Sequence, residues 1–98
     1  MMEDIQRLSA RVIQRVLGRR NLDAELAALW RAQPALDISR RGAIQDICYG
    51  TLRLLGPIDA WLDALLTRPL ADDRLRHLLR AALYQLEHTR AAPHAVRA

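Results

Sequence analysis

The sequence predicts an all-α fold, and three observations carry that reading. Apolar residues recur at spacings of three and four in five separate stretches, the period of helices with one buried face. Residues that start or stop helices, among them Asn21, Ser39, Gly56, Pro57, Asp72 and Asp73, fall between those stretches. No segment has the sustained alternation and β-branched enrichment of a strand, so five short helices joined by brief turns give an all-α bundle.

The first helix carries Ile5, Leu8, Val12 and Val16 on one side, with Leu17 beside them and Gly18 where a C-terminal cap would sit. Asn21 caps a second, shorter helix with the stripe Leu22, Leu26, Leu29 and Trp30. The Gln33-Pro34 step stops it, because a residue before proline avoids helical dihedrals, and a loop runs on through Asp37. Ser39 caps a third helix whose buried face is Ile44, Ile47, Cys48, Thr51, Leu52 and Leu55. Gly56 and Pro57 end it. Pro57, taken as the first helical position, begins a fourth helix with Ile58, Trp61, Leu62, Leu65 and Leu66, which stops before Pro69. Asp72 or Asp73 opens a fifth, where the partial positive charge of a helix N-terminus favours an acid. Leu75, Leu78, Leu79, Ala82, Leu83 and Leu86 line its core side as far as about His88. Pro93 reads as the start of a sixth helix, with too few residues after it for a stable turn and a buried stripe.

Ninety-eight residues with 51% apolar content suit one domain over residues 1–98, since a chain of this size buries about two-thirds of its unfolded surface around one core. Only four glycines and four prolines are present and charge is spread throughout, the composition of a folded protein. Apolar runs are short and the segment before Leu8 has acids where a signal peptide needs a positive end, so a cytoplasmic protein without a membrane span is expected. Cys48 is the only cysteine, which rules out an internal disulfide and a cysteine-rich metal cage. His77, His88 and His94 lack metal-ligand spacing, so no metal is expected. Nor does any nucleophile, base and orienting acid come together in sequence, and no phosphate-cradling glycine loop exists; no catalytic residue is assigned.

The formal charge is +4, and all 15 basic side chains are arginine. Arginine binds phosphate in a bidentate fork and stacks on bases, which suits RNA; a GC-rich codon bias accounts for the absence of lysine equally simply. Arg7, Arg11 and Arg15 recur every four residues, each step turning about 40° further round the axis, so they form one ridge. Arg19 and Arg20 extend that ridge if the chain stays near the axis past Gly18. Such a ridge can engage phosphates or merely solvate the face opposite the apolar stripe. Arg40 and Arg41 at the start of the third helix oppose its dipole, which points to an external anion or a nearby acid such as Asp37. Arg74, Arg76, His77 and Arg80 on the fifth helix have acids nearby, and internal pairing is as good an account of them as an anion. Tyr49, with Arg53 four residues on, and Tyr84 could stack on unpaired bases, although core packing is the better expectation for both tyrosines, as it is for Trp30 and Trp61. Gly50 would admit a neighbouring helix closely.

Three stretches carry a family likeness, two of them distinctive. Asp46-Ile47-Cys48-Tyr49-Gly50-Thr51-Leu52-Arg53 resembles one signature, and Leu78-Leu79-Arg80-Ala81-Ala82-Leu83-Tyr84-Gln85-Leu86 followed by Pro93-His94-Ala95-Val96 a second, of the NusB-like N-terminal domain of bacterial 16S ribosomal RNA cytosine 5-methyltransferases. The run Arg11-Val12-Ile13-Gln14-Arg15-Val16-Leu17 is similar to that domain's first helix. The resemblance implies a NusB-like antiparallel helical bundle, incomplete at its C-terminal end because the family pattern continues past His-Ala-Val into a further helix. It implies an RNA-binding accessory domain that helps position ribosomal RNA for a catalytic domain outside this chain. The parent enzyme's S-adenosylmethionine would bind there; no cofactor is expected here, and Cys48 matches neither catalytic cysteine. The RNA-binding candidates are Arg7, Arg11, Arg15, Arg19, Arg20, Arg40, Arg41 and Arg53. The expected partners are ribosomal RNA and the parent's methyltransferase domain. A homodimer through an apolar face left uncovered by the missing helix is a further possibility. The alternative is a NusB-type protein-interaction module in transcription antitermination or ribosome assembly.

Overall fold

The computed structural model describes the backbone of residues 2–70 and 72–97 and the side chains of 4–70 and 72–88. Five helices follow one another: α1 (Met2–Leu17), α2 (Leu22–Ala32), α3 (Ile38–Arg53), α4 (Leu55–Leu65) and α5 (Asp73–Arg97). No strand occurs among the described residues, and the fold is all-α.

Position in the bundle explains why α1 buries more than one stripe. It packs against α2, α3 and α5 together, so Ser9, Ala10 and Ile13 are buried in addition to Ile5 and Val12. Ile13, with no exposed surface, contributes on the order of 2 kcal/mol through burial alone. The Ser9 hydroxyl donates to the Ile5 carbonyl at 2.7 Å, and the Cys48 thiol of α3 points at the Ser9 carbonyl at 3.7 Å. Two small polar side chains thus fill the α1–α3 crossing, with Ile44 and Ile47 beside them in the core.

The two signature stretches meet in space. Gly50 on α3 lies against the ring of Tyr84 on α5, and a Cβ added at Gly50 would overlap ring carbons Cε1 and Cζ and the hydroxyl oxygen. Glycine is therefore required here by a close approach, as its place in the sequence suggested. Tyr84 is buried, donates from its hydroxyl to Asp46 Oδ1 at 3.1 Å and stacks on His88 at 5.7 Å. Burial, and then the bond to Asp46, raise its pKa above the ordinary tyrosine value. The Pro93–Val96 part of the second signature lies outside the described side chains.

Several boundaries differ from expectation. Asn21 caps α2 as predicted, its side chain accepting the Ala24 amide at 2.9 Å, and Gln33 closes that helix. The cap of α3 is Asp37 and not Ser39: Asp37 Oδ1 accepts the Arg40 amide at 2.8 Å. Both residue types cap well, but Asp37 adds a full negative charge at the positive helix end. Pro57 is the third residue of α4, not the first, and Leu55 belongs to α4 rather than α3. The bonding of α4 begins with Ile58 donating to Leu54, so the amide missing from Pro57 is one that a helix start leaves unpaired anyway. Gly56 escapes the clash that a Cβ makes with a following proline. At the end of α1 the left-handed residue is Arg19, with φ 75°, one position after the glycine expected to serve there. The Arg20 amide reaches back to the Arg15 carbonyl and the Arg19 amide to Val16, a Schellman closure with an arginine at its left-handed position. Finally, Pro93 does not begin a sixth helix; α5 runs on to Arg97, through Ala91 and Ala92, which favour helix.

Asp72 opens α5, accepting the Arg74 amide at 2.9 Å. An ion-pair cluster then ties α5 to α4. Arg80 grips Asp59 through two bonds, Nε to Oδ1 at 2.7 Å and Nη2 to Oδ2 at 3.0 Å, while Arg76 reaches Asp63 at 3.0 Å and Asp59 at 3.4 Å. The bond from Arg80 holds the Asp59 carboxyl below the usual carboxylate range. Arg80 Nη1 also faces His77 Nδ1 at 3.0 Å, an acceptor only when the imidazole is neutral. Burial, then the adjacent Arg80 charge, lowers the His77 pKa.

Candidate functional site

The helical register of α1 brings Arg7 and Arg11 to one exposed ridge with a groove on either side. On the α5 side the ridge borders Ala10, Leu75, Leu78 and Arg74. On the other side it borders Leu8, Gln33, Leu36 and Arg40, from the α2–α3 loop and the first turn of α3. The fold therefore gathers Arg7, Arg11, Arg40 and Arg74 around one strip of surface. Arg7 is bonded to Asp4 at 3.1 Å in an exposed pair and Arg74 to Asp72 at 3.4 Å, whereas Arg11 and Arg40 form no ion pair among the described residues. Exposed pairs of this kind contribute about 0–1 kcal/mol and yield readily to a better anion.

The other arginines have different surroundings. Arg15 Nε donates to Glu25 Oε1 at 2.7 Å, and because that Glu25 side chain is only 10% exposed, Arg15 serves to neutralise a buried acid between α1 and α2. Arg19 and Arg20 are exposed, but the turn at Arg19 takes the chain off the helix axis, so neither lines the two grooves. The guanidinium of Arg41 lies 5.4 Å from the ring centre of Trp30, which is partly buried against the core; its Nε is buried without a partner. Arg53 sits on α3 toward Tyr84 and outside both grooves.

Two aromatic expectations are corrected. Tyr49 is 45% exposed and its hydroxyl bonds Asp23 of α2, which raises its pKa; it is not a core residue. Trp61 is 44% exposed on α4, because burial falls on Ile58 and Leu62 and leaves the neighbouring row to solvent. Sequence spacing alone did not single out Gln33 and Leu36 as groove residues, since they lie in a loop with no period to read.

Cys48 is fully buried, and burial pushes its thiol up to about 12, far from the range of a nucleophile. Among the described residues no three His, Cys, Asp or Glu side chains group as a metal set, and no helix is long and apolar enough to cross a membrane. The chemistry available on the ridge is anion binding by guanidinium groups beside apolar surface.

The sequence profile of the NusB family matches residues 3–97. The chain is also similar to ribosomal RNA small subunit methyltransferase B of Yersinia enterocolitica, 31% identical over 95 residues, and to proteins of the same name from Yersinia pseudotuberculosis and Yersinia pestis, each 32% identical. The alignments cover 94% of this chain but only 21% of each relative, so it spans about a fifth of their length. No solved structure matches the chain. With a profile match along nearly its whole length, on a five-helix frame whose two signatures interlock at Gly50 and Tyr84, the chain belongs to the NusB family.

Proposed function

We propose that this domain binds RNA and helps to present ribosomal RNA to a cytosine 5-methyltransferase centre carried by another part of a longer enzyme. The observation that carries the reading is the ridge of Arg7 and Arg11 with Arg40 and Arg74 at its borders. The relatives' name, ribosomal RNA small subunit methyltransferase B, supplies the substrate class. In this reading the chain captures the phosphate backbone and performs no chemistry; S-adenosylmethionine is used by the catalytic part, and the setting is the cytoplasm. Arg19, Arg20, Arg41 and Arg53 would make peripheral contacts if the RNA extends beyond the grooves, and Arg15 acts through its pair with Glu25 more than as a phosphate ligand.

Engagement of three to five phosphates gives a fall of affinity with log salt at a slope of about −2 to −3.5 for single strands. An Arg7→Glu and Arg11→Glu variant, chosen to leave the Arg15–Glu25 pair intact, should abolish most of that binding while the circular dichroism spectrum stays unchanged. A folded double variant with the parent's affinity and slope would overturn the assignment.

A second reading rests on α4. Leu54, in the turn before α4, and Trp61 and Leu65 on it are 41%, 44% and 70% exposed, and the four-residue step from Trp61 to Leu65 puts those two about 40° apart around the helix. An apolar row of this kind suits a protein partner or a second copy, the interaction module of the antitermination type. Light scattering at increasing concentration, with Trp61→Glu as control, tests it: a strictly monomeric parent removes self-association.

A further inference from the structure

The geometry points to a slot for one unpaired base in the groove between α1 and the α2–α3 loop. This rests on the RNA reading above and makes it more specific: the ligand is single-stranded RNA with one nucleotide splayed out, not a duplex held by its phosphates alone.

The groove has a volume of about 420 Å³, inside the roughly 300–1,000 Å³ of clefts that hold small organic ligands. Its two kinds of lining match the two halves of a nucleotide. Leu8 and Leu36, both partly buried against the core, and Ala35 on the loop give an apolar wall for the face of a ring. Gln33 brings a side-chain amide with both donor and acceptor groups, which can meet a base edge. Arg7, Arg11 and Arg40 stand along the same groove as guanidinium groups for the flanking phosphates. Among the described residues Asp4 is the one acid in the lining and lies against Arg7, so the three arginines leave that lining with a net positive charge that complements an anionic ligand.

Two features distinguish this groove from the one on the α5 side. There Arg74 is held by Asp72, which is itself engaged in capping α5. Here Arg40 makes no ion pair among the described residues and projects from a helix start already capped by Asp37. Arg40 is moreover a charge placed against the α3 dipole, a position that an anionic phosphate would relieve. A base in the slot would lay its face against the aliphatic wall or a guanidinium plane and bond its edge to the Gln33 amide.

Fluorescence anisotropy with three labelled probes tests the slot: a single-stranded RNA hexamer, the same backbone carrying abasic sugars, and a duplex of equal charge per strand. The chain should bind the hexamer about tenfold more tightly than the abasic strand, the gain from burying about 55 Å² of one base face on the aliphatic wall, and more tightly than the duplex. Ala35→Leu, at an exposed loop position, should fill the slot and abolish the preference for bases while leaving the salt slope unchanged. Arg40→Gln should instead make the slope shallower by about 0.7, one phosphate contact. Equal affinity of the parent for the hexamer and the abasic strand, with salt dependence intact, overturns the slot and leaves the RNA reading standing. Persistence of base preference in Ala35→Leu also overturns it, since the base would then sit elsewhere. Absence of salt-dependent binding to any probe removes the RNA reading and the slot together.

Discussion

Replacing Gly50 by alanine should destabilise the protein, against the ordinary rule for helices. In a mid-helix position alanine is favoured over glycine by about 1 kcal/mol, so propensity alone predicts a more stable variant. The added methyl group, however, would overlap the Tyr84 ring and hydroxyl. Tyr84 is 6% exposed and bonded to Asp46, so its ring has little room to move aside. Overpacking of this kind costs about 1–3 kcal/mol, and loss of a hydroxyl bond to a charged acceptor adds about 1.5 kcal/mol at the lower end of its range. Set against the propensity gain, the net loss is about 2 kcal/mol, or roughly 8–16 °C in Tm for a domain of this length. Thermal and urea melts followed by circular dichroism measure it. In a Tyr84→Leu background the same substitution should become neutral or stabilising, a coupling of about 2–3 kcal/mol between the two positions. A Gly50→Ala single variant that melts at or above the parent would refute the contact between the signatures.

Three further outcomes follow from the same structure. Thr51→Val should raise stability by about 1 kcal/mol in urea melts, because the Thr51 hydroxyl is buried without a partner and its desolvation is uncompensated; an equal or lower midpoint would show the hydroxyl to be bonded. His77 has its pKa lowered from 6.5 in the folded protein, so the unfolded chain binds its proton first as pH falls. Stability from this group is complete above pH 6.5 and lost on acidification below it, and His77→Gln should flatten that part of the curve between about pH 7 and 5; an unchanged slope would place the titration elsewhere. Cys48 should resist thiol reagents in native buffer and react at the rate of global unfolding, since burial holds the thiol near 12; rapid labelling without denaturant would contradict its place in the core.

What the sequence carries about this fold is local. The side chain of Asn21 caps its own helix, and the stripe of α3 through Ile44, Ile47, Cys48 and Thr51 is buried as its spacing requires. Readings failed where tertiary contacts decide. A single-stripe pattern cannot announce that α1 is covered on three sides, so Ser9, Ala10 and Ile13 did not stand out from their period. Trp61 and Leu65 fit an apolar stripe yet face outward, because the α4 side chains buried in the core are Ile58 and Leu62. The partners of Arg80 and Arg15 are acids 21 and 10 residues away, beyond the reach of helical neighbour rules. Among the candidate site residues, Arg7 and Arg11 follow from spacing on one helix, while their proximity to Arg40 and Gln33 depends on how the α2–α3 loop folds back on α1.

The packing of α1 against α5 bears on how the protein is made. Gln6 and Gln85, joined by a side-chain hydrogen bond, are 79 residues apart. During synthesis α1 emerges before α2 and α3 and can pair with them as they follow, but one flank has no partner until α5 is translated. Closing that long loop carries the largest loop-closure entropy among the contacts of α1. The nascent domain therefore carries an unsealed apolar seam beside Arg7 and Arg11 until α5 is made, and these side chains gain fixed positions only when α5 docks.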